Sequence, residues 1–165
     1  PGLEEEFTAF VVQAGPSLQR TALALTGSAA AADDLVQQTL VKTYVAWPRI
    51  RRDGAYAYAR RVLANQRIDT WRSTRHEHPM SEVPDQPGRQ DTATDDRDQL
   101  VRLLAALPDQ QRRVVVLRYY NDLSEQAVAD LLGISVGAVK SAASRGLATL
   151  RSAGAAHDST QAGTR

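Results

Sequence analysis

The sequence predicts an all-α protein built as two small helical domains joined by a flexible acidic linker. Three observations carry this expectation. Apolar residues recur at helical spacing through residues 1–76 and again through 99–152. Between them, residues 77–98 hold three prolines, one glycine, seven acids and almost no apolar side chains, so no packed core can form there. Finally, LSEQAVADLLGISVGAVKSAASRGLATLR, residues 123–151, spells two helices hinged at one glycine, a helix-turn-helix pattern.

Taking the elements in order, EEEFTAFVVQAG places Phe7, Phe10 and Val11 on one helical face after three acids that suit a helix start. Gly15 and Pro16 are expected to break that helix. Leu18, Ala22 and Leu25 then mark a second one, which Gly27 stops, and Ser28 caps a third beginning in the alanine run. This long third helix is expected to turn Val36, Leu40, Val41, Tyr44, Val45 and Trp47 inward. Asp33, Asp34, Gln37 and Gln38 are left as a polar shoulder near its start, which composition alone reads as a solvated face.

Pro48 ends the helix, and PRIRRDG forms a short basic loop turning at Asp53 and Gly54. From Ala55 to about Arg75, Tyr58, Ala59, Val62 and Leu63 make one compact face, with Arg60, Arg61, Arg67, Arg72 and Arg75 around it. Asn65 and Trp71 interrupt this basic surface with a bidentate amide and an aromatic plane, a combination suited to holding unpaired bases. Trp71 reads equally well as a core residue, since an aromatic at helical spacing usually is one.

After the linker, Leu100, Leu103, Leu104 and Leu107 start a new amphipathic helix. Pro108 opens the next one, in which Val114, Val115, Leu117 and Tyr119 are expected to face the hinge. In the hinge, Ser124 and Ser135 suit the two N-caps and Gly133 the left-handed turn, while small Ala129 and β-branched Val139 close the corner. Leu147 and Leu150 extend the inward stripe. The outward face reads Gly137, Lys140, Ser141, Ser144 and Arg145, short donors and long cations that suit base edges and phosphates in a major groove. The alternative is a helical hairpin with a merely solvated basic face. Residues 153–165 are expected to be a disordered tail.

Charge is segregated along the chain although the net charge is only +1. Residues 1–47 sum to −3, 48–76 to +6, 77–98 to −5, 99–152 to +3 and 153–165 to 0. Two basic blocks therefore flank an acidic one, which suggests two contacts with nucleic acid. With no cysteine, disulfides and thiolate chemistry are excluded, and three scattered histidines give no metal-ligand spacing, so no metal or cofactor is expected. No apolar run is long enough to span a bilayer and no signal-peptide pattern opens the chain, which leads to an expected cytoplasmic location without membrane insertion.

These motifs carry a family resemblance. LPDQQRRVVVLRYYNDLSEQAVADLLGISVGAVKS resembles the fourth conserved region of bacterial RNA polymerase sigma factors, and ADDLVQQTLVKTYVAW with ARRVLANQRIDTWR resembles the second. The lack of the other regions is similar to the extracytoplasmic-function (ECF) group, and the wording around LSEQAVADLLG to its actinobacterial SigE-like branch. The resemblance implies a promoter-recognition factor that is not itself an enzyme: 1–76 as region 2, 77–98 as linker and 99–152 as region 4. It assigns Asp34, Gln37 and Gln38 to the clamp helices of the polymerase β′ subunit, with glutamate common in the family where Gln38 stands. It assigns Asn65 and the loop after Trp47 to capture of a flipped base of the −10 element, with Arg60, Arg61, Arg67, Trp71 and Arg72 along the single strand. Lys140, Ser141, Ser144 and Arg145 fall at the positions that read the duplex −35 element. Ala138 and Ala142 replace the threonine and arginine usual in GTVKSR, so one phosphate contact is expected to be missing. Family habit adds the polymerase β flap and an anti-sigma factor as partners, and a monomer outside the holoenzyme. Two other classes compete. A stand-alone helix-turn-helix regulator explains 99–152 but leaves the Arg/Asn/Trp helix without a role, and an enzyme needs a convergent acid, base or nucleophile set that is not visible.

Overall fold

The computed structural model describes residues 2–75 and 92–162, without the side chains of 67–75, 92–94, 157, 161 and 162. Seven α-helices make up the described fold: α1 Leu3–Thr26, α2 Ala29–Ala46, α3 Ala55–Arg75, α4 Thr92–Ala105, α5 Asp109–Val115, α6 Glu125–Leu132 and α7 Val136–Ala162. Most of the expected linker, 77–91, lies outside the described residues. Its last part does not, and Thr92 already begins α4.

Helix α1 starts where Glu4, Glu5 and Glu6 meet the positive end of the helix, and the Glu5 carboxylate accepts a hydrogen bond from the Gly2 N–H at 3.3 Å. It does not break at Gly15 and Pro16 as expected, but runs through them. Pro16 removes the hydrogen bond to the Val12 carbonyl, yet both residues lie on the exposed face, where water can serve that carbonyl. The helix ends at Gly27, whose φ of 74° lets its N–H reach the Leu23 carbonyl at 2.8 Å. Ser28 then caps α2, accepting from the Ala31 N–H at 3.3 Å.

The inward face of α2 differs from expectation. Val41, Tyr44 and Val45 are 62%, 46% and 74% exposed, whereas Leu35, Val36, Thr39 and Thr43 are buried. The two threonines donate their hydroxyls to the Leu35 and Thr39 carbonyls at 2.8 and 2.7 Å, so each buries a satisfied polar group and packs much as valine would. Trp47, 2% exposed, closes this end, with its ring centroid 5.1 Å from those of both Phe7 and Phe10. Two 3-10 turns, Trp47–Arg49 and Arg52–Gly54, lead into α3. Arg52 pins them, lying 4.3 Å above the Trp47 ring and donating to the Trp47 and Ile50 carbonyls at 2.8 Å each.

The run Val114–Leu117 is shared between two cores. Consecutive helical residues point about 100° apart, so Val114 and Leu117 face the hinge residues Val128 and Val139, while Val115 and Val116 join Leu18, Leu25 and Leu63 of α1 and α3. Val115 also meets Gly146 of α7, within the hinge motif, as expected, whereas Tyr119 is 52% exposed, contrary to expectation. A π-helical turn over Val116–Tyr120 follows α5 and brings the chain round to α6. The two halves meet through this shared packing: Leu104 and Leu107 belong to the first core, and Ala64 of α3 belongs to the second.

Helix α7 continues to Ala162, so 153–162 is helical where a disordered tail was expected. Its alanines favour helix, and Ala153 and Ala156 line a surface shared with Gln99, Arg102 and Leu103 of α4.

Candidate nucleic-acid interface

The helix-turn-helix is assembled as its residue types demand. Ser124 accepts from the Ala127 N–H at 3.1 Å and Ser135 from the Ala138 N–H at 3.0 Å, capping α6 and α7. Gly133 takes the left-handed turn at φ 66°, and the Ile134 N–H returns to the Ala129 carbonyl at 3.1 Å. Val139 is fully buried at the corner and Ala129 is 3% exposed beside it. This fixes the roll of α7, so that Lys140, Ser141, Ser144 and Arg145 all face solvent. The Lys140 ammonium lies 3.8 Å from the Glu125 carboxylate, a loose surface pair that DNA phosphate can displace.

Ala142 is 7% exposed and packed in the second core, and with Ala138 it also lines the open groove beside Ser141 and Arg145. Two further side chains adjoin the reading face: Gln110 and Gln111 of α5 line an open groove of about 230 Å³ together with Ser141 and Arg145. No local signal marks them, since in sequence they are ordinary first-turn residues and only tertiary packing brings them there.

On α3, Arg61 is exposed, and Arg60 is half-buried with its guanidinium 5.3 Å from the Tyr56 ring centroid. Asn65 is exposed as a residue, yet its Nδ2 donates to the Leu131 carbonyl of α6 at 3.1 Å. Arg67, Trp71 and Arg72 follow on the same helix, but their side chains lie outside the described residues, as does the choice between core and stacking roles for Trp71.

The polar shoulder of α2 is a separate surface. Asp34, Gln37 and Gln38 are exposed, and Gln38 accepts a hydrogen bond from Nε2 of the buried Gln66. Asp33 instead accepts from Gln19 and so serves the packing of α1 on α2. At helical spacing the shoulder continues into exposed Val41 and Val45, a polar stripe that turns apolar. Sequence periodicity missed these two valines, because exposed apolar residues in a helix otherwise read as core.

Comparison with known proteins agrees with this arrangement. Residues 10–77 match sigma-70 region 2, and residues 97–150 match sigma-70 region 4. The chain is 39% identical over 151 residues to the RNA polymerase sigma-E factor of Streptomyces coelicolor, covering 88% of this chain and 84% of that protein. It is 38% identical over 136 residues to the ECF RNA polymerase sigma factor SigL of Mycobacterium tuberculosis, covering 75% of each. The fold is similar to that of CnrH in complex with the cytosolic domain of CnrY, with a TM-score of 0.66, 24% identity and coverage of 91% and 88%. It is also similar to that of RpoE in complex with the anti-sigma factor NepR from Bartonella quintana, with a TM-score of 0.63, 22% identity and coverage of 90% and 96%. Two sigma-70 regions in family order, together with relatives of this identity and coverage, place the chain among the RNA polymerase sigma factors, as a member of their extracytoplasmic-function group.

Proposed function

We propose that this ECF sigma factor divides promoter recognition between its two halves, with α7 reading the duplex −35 element and α3 holding the opened −10 element. The observation that carries this is the exposed face of Lys140, Ser141, Ser144 and Arg145 on a helix whose roll is fixed by buried Val139. A helix in the major groove reads paired bases by their edges, which needs short donors and long cations on one face. The downstream element has to be melted, and its bases become readable only after they leave the stack. Each captured base contributes roughly 1–3 kcal/mol, comparable to the few kcal/mol that unstacking costs, so a few pocketed bases tip the balance once polymerase holds the duplex. Asn65 supplies the bidentate amide for that step, with Arg60, Arg61, Arg67 and Arg72 along the strand and Trp71 as the stacking plane.

Asp34, Gln37 and Gln38 dock on the β′ clamp helices, and the fourth region docks on the β flap. The nucleotidyl chemistry belongs to the polymerase. An anti-sigma factor is a further partner, supported by the similarity to RpoE in its complex with NepR. The site of action is the cytoplasmic polymerase; among the described residues, no single helix is long and apolar enough to cross a membrane. Run-off transcription with core polymerase on a genomic promoter pool tests this function. Promoter-specific transcripts that need both proteins are expected. Nanomolar sequence-specific DNA binding by a dimer of the chain alone, at physiological salt, would point to a stand-alone regulator.

A further inference from the structure

Of the two outward cations of α7, Lys140 has a carboxylate beside it and Arg145 has none among the described residues: the Lys140 ammonium lies 3.8 Å from the carboxylate of Glu125. Glu125 is the first residue of α6, directly after Ser124, whose hydroxyl caps that helix by accepting from the Ala127 N–H at 3.1 Å. The carboxylate is thus held at the first turn of one helix and the ammonium at the second turn of the other. Val128, Ala129 and Val139 pack in one core and fix the two helices against each other. Both charged side chains reach solvent, on the side where α7 presents its reading face. The other carboxylate of α6, Asp130, is engaged on its own helix, accepting from Gln126 at 2.9 Å.

A lysine on a DNA-binding face has two kinds of acceptor within reach, the phosphates along the groove and the O6 and N7 atoms of guanine on its floor. As a compact charge with three donors it takes either, so by itself it adds affinity with little selectivity. A carboxylate beside the ammonium separates the two cases. With a phosphate on the ammonium, two anions share one cation and repel each other at close range. With a guanine, the new acceptors are neutral atoms, and the ammonium can donate to them and to Glu125 together. The exposed pair contributes little to folding, so what Glu125 changes is the choice of acceptor.

We propose that Glu125 is a specificity-determining residue of the −35 reader, which keeps Lys140 off phosphate and commits it to a guanine edge. The proposal rests on the reading of duplex DNA by α7 given above. It gives α6, which carries none of the outward reading residues, a share in sequence selection.

Closed-complex formation by the holoenzyme, measured by mobility shift against salt concentration, tests this on promoter fragments that carry each base pair in turn across the −35 element. Wild type is expected to prefer a G·C pair at one position through Lys140. Glu125→Gln keeps the shape and removes the charge. It is expected to bind a fragment with a scrambled −35 element about fivefold more tightly at low salt, and to lose at least about threefold of the preference for that G·C pair. Its plot of log K against log salt should steepen by about 0.9, the value for one added phosphate contact. Glu125→Asp retains the charge and should keep the wild-type slope. In a Lys140→Ala background, Glu125→Gln should change neither slope nor preference, because the lysine through which it acts is gone. An unchanged slope or an unchanged base preference in Glu125→Gln overturns the proposal. Weaker binding to every fragment also overturns it, since that is the result if Glu125 only supports the start of α6. Lys140→Ala alone reports on the parent reading. If that variant binds and discriminates as wild type does, reading by α7 fails and the proposal with it; if it is impaired while Glu125→Gln is unchanged, the role of Glu125 alone is overturned.

Discussion

Gly146 lies directly against Val115: a Cβ built on Gly146 would stand 2.7 Å from Val115 Cγ2, too close for any real side chain. The glycine is what lets α7 approach α5 at this point. Alanine has the better helix propensity by about 1 kcal/mol, but the overlap involves a buried, β-branched neighbour with little freedom to move. Gly146→Ala is therefore expected to lower unfolding stability by about 1–2 kcal/mol net, measured by urea titration. Adding Val115→Ala should recover part of the loss by removing the clashing methyl. A Gly146→Ala protein more stable than wild type would show that the two helices can separate freely.

Arg112 is expected to resist its usual substitute. Its guanidinium donates to the Leu107 carbonyl and the Asp109 carboxylate at 3.0 Å each and to the Leu25 carbonyl at 3.4 Å. A lysine carries one compact ammonium and cannot span acceptors on two helices and a turn. Arg112→Lys should cost about 3 kcal/mol, close to the value for losing charge-assisted hydrogen bonds in a buried site. Thermal unfolding of the variant at the wild-type midpoint would refute this.

Legibility in the sequence follows from how local each cause is. The helix-turn-helix could be read almost residue by residue, because caps at Ser124 and Ser135, the left-handed Gly133 and the plug Val139 are each dictated within a few positions. The same holds for the outward Lys140 and Arg145, which follow once Val139 faces in. Helix α2 was misread on one face because Thr39 and Thr43 satisfy their hydroxyls on the helix's own carbonyls, so polarity stopped marking exposure. Pro16 was misread as a break because whether a lost hydrogen bond is tolerated depends on exposure, which is a tertiary property. The contact between Asn65 and Leu131 spans 66 residues and uses a backbone acceptor, so no side-chain pattern could announce it.

The stripe on α2 separates docking from folding. Val45 is 74% exposed and Val41 62%, so Val45→Asp or Val41→Asp should change stability by less than about 0.5 kcal/mol. If these residues continue the polymerase surface of Gln37 and Gln38, either change should weaken core binding about tenfold by placing an uncompensated charge in an apolar contact. Gln38→Glu is expected to act in the opposite direction, since its carboxylate still accepts from Gln66 and adds a charge at the edge of the stripe. Fluorescence titration of labelled factor with core polymerase measures both. Unaltered affinity in the valine variants would confine docking to the polar shoulder.

The two DNA-reading surfaces should fail at different steps. Lys140 and Arg145 meet duplex DNA before melting, so Lys140→Ala or Arg145→Ala in the holoenzyme should weaken closed-complex formation, a base-reading member costing roughly 1–3 kcal/mol. Asn65 acts later, because an extruded base is available to its amide only after the strands part. Asn65→Ala also removes the hydrogen bond to Leu131, and that loss by itself can only favour separation of the halves. Any deficit in open complex must then come from the missing base contact. The discriminating template is one already mismatched across the −10 element. There the melting cost is absent, so Asn65→Ala should regain much of its open complex, read by permanganate reactivity, while Lys140→Ala stays impaired. Wild-type protein should still prefer one base on that bubble, and Asn65→Ala should lose the preference. If Asn65→Ala abolishes closed-complex binding, or keeps the base preference on the bubble, then Asn65 is a structural link between the halves and not the residue that holds the base.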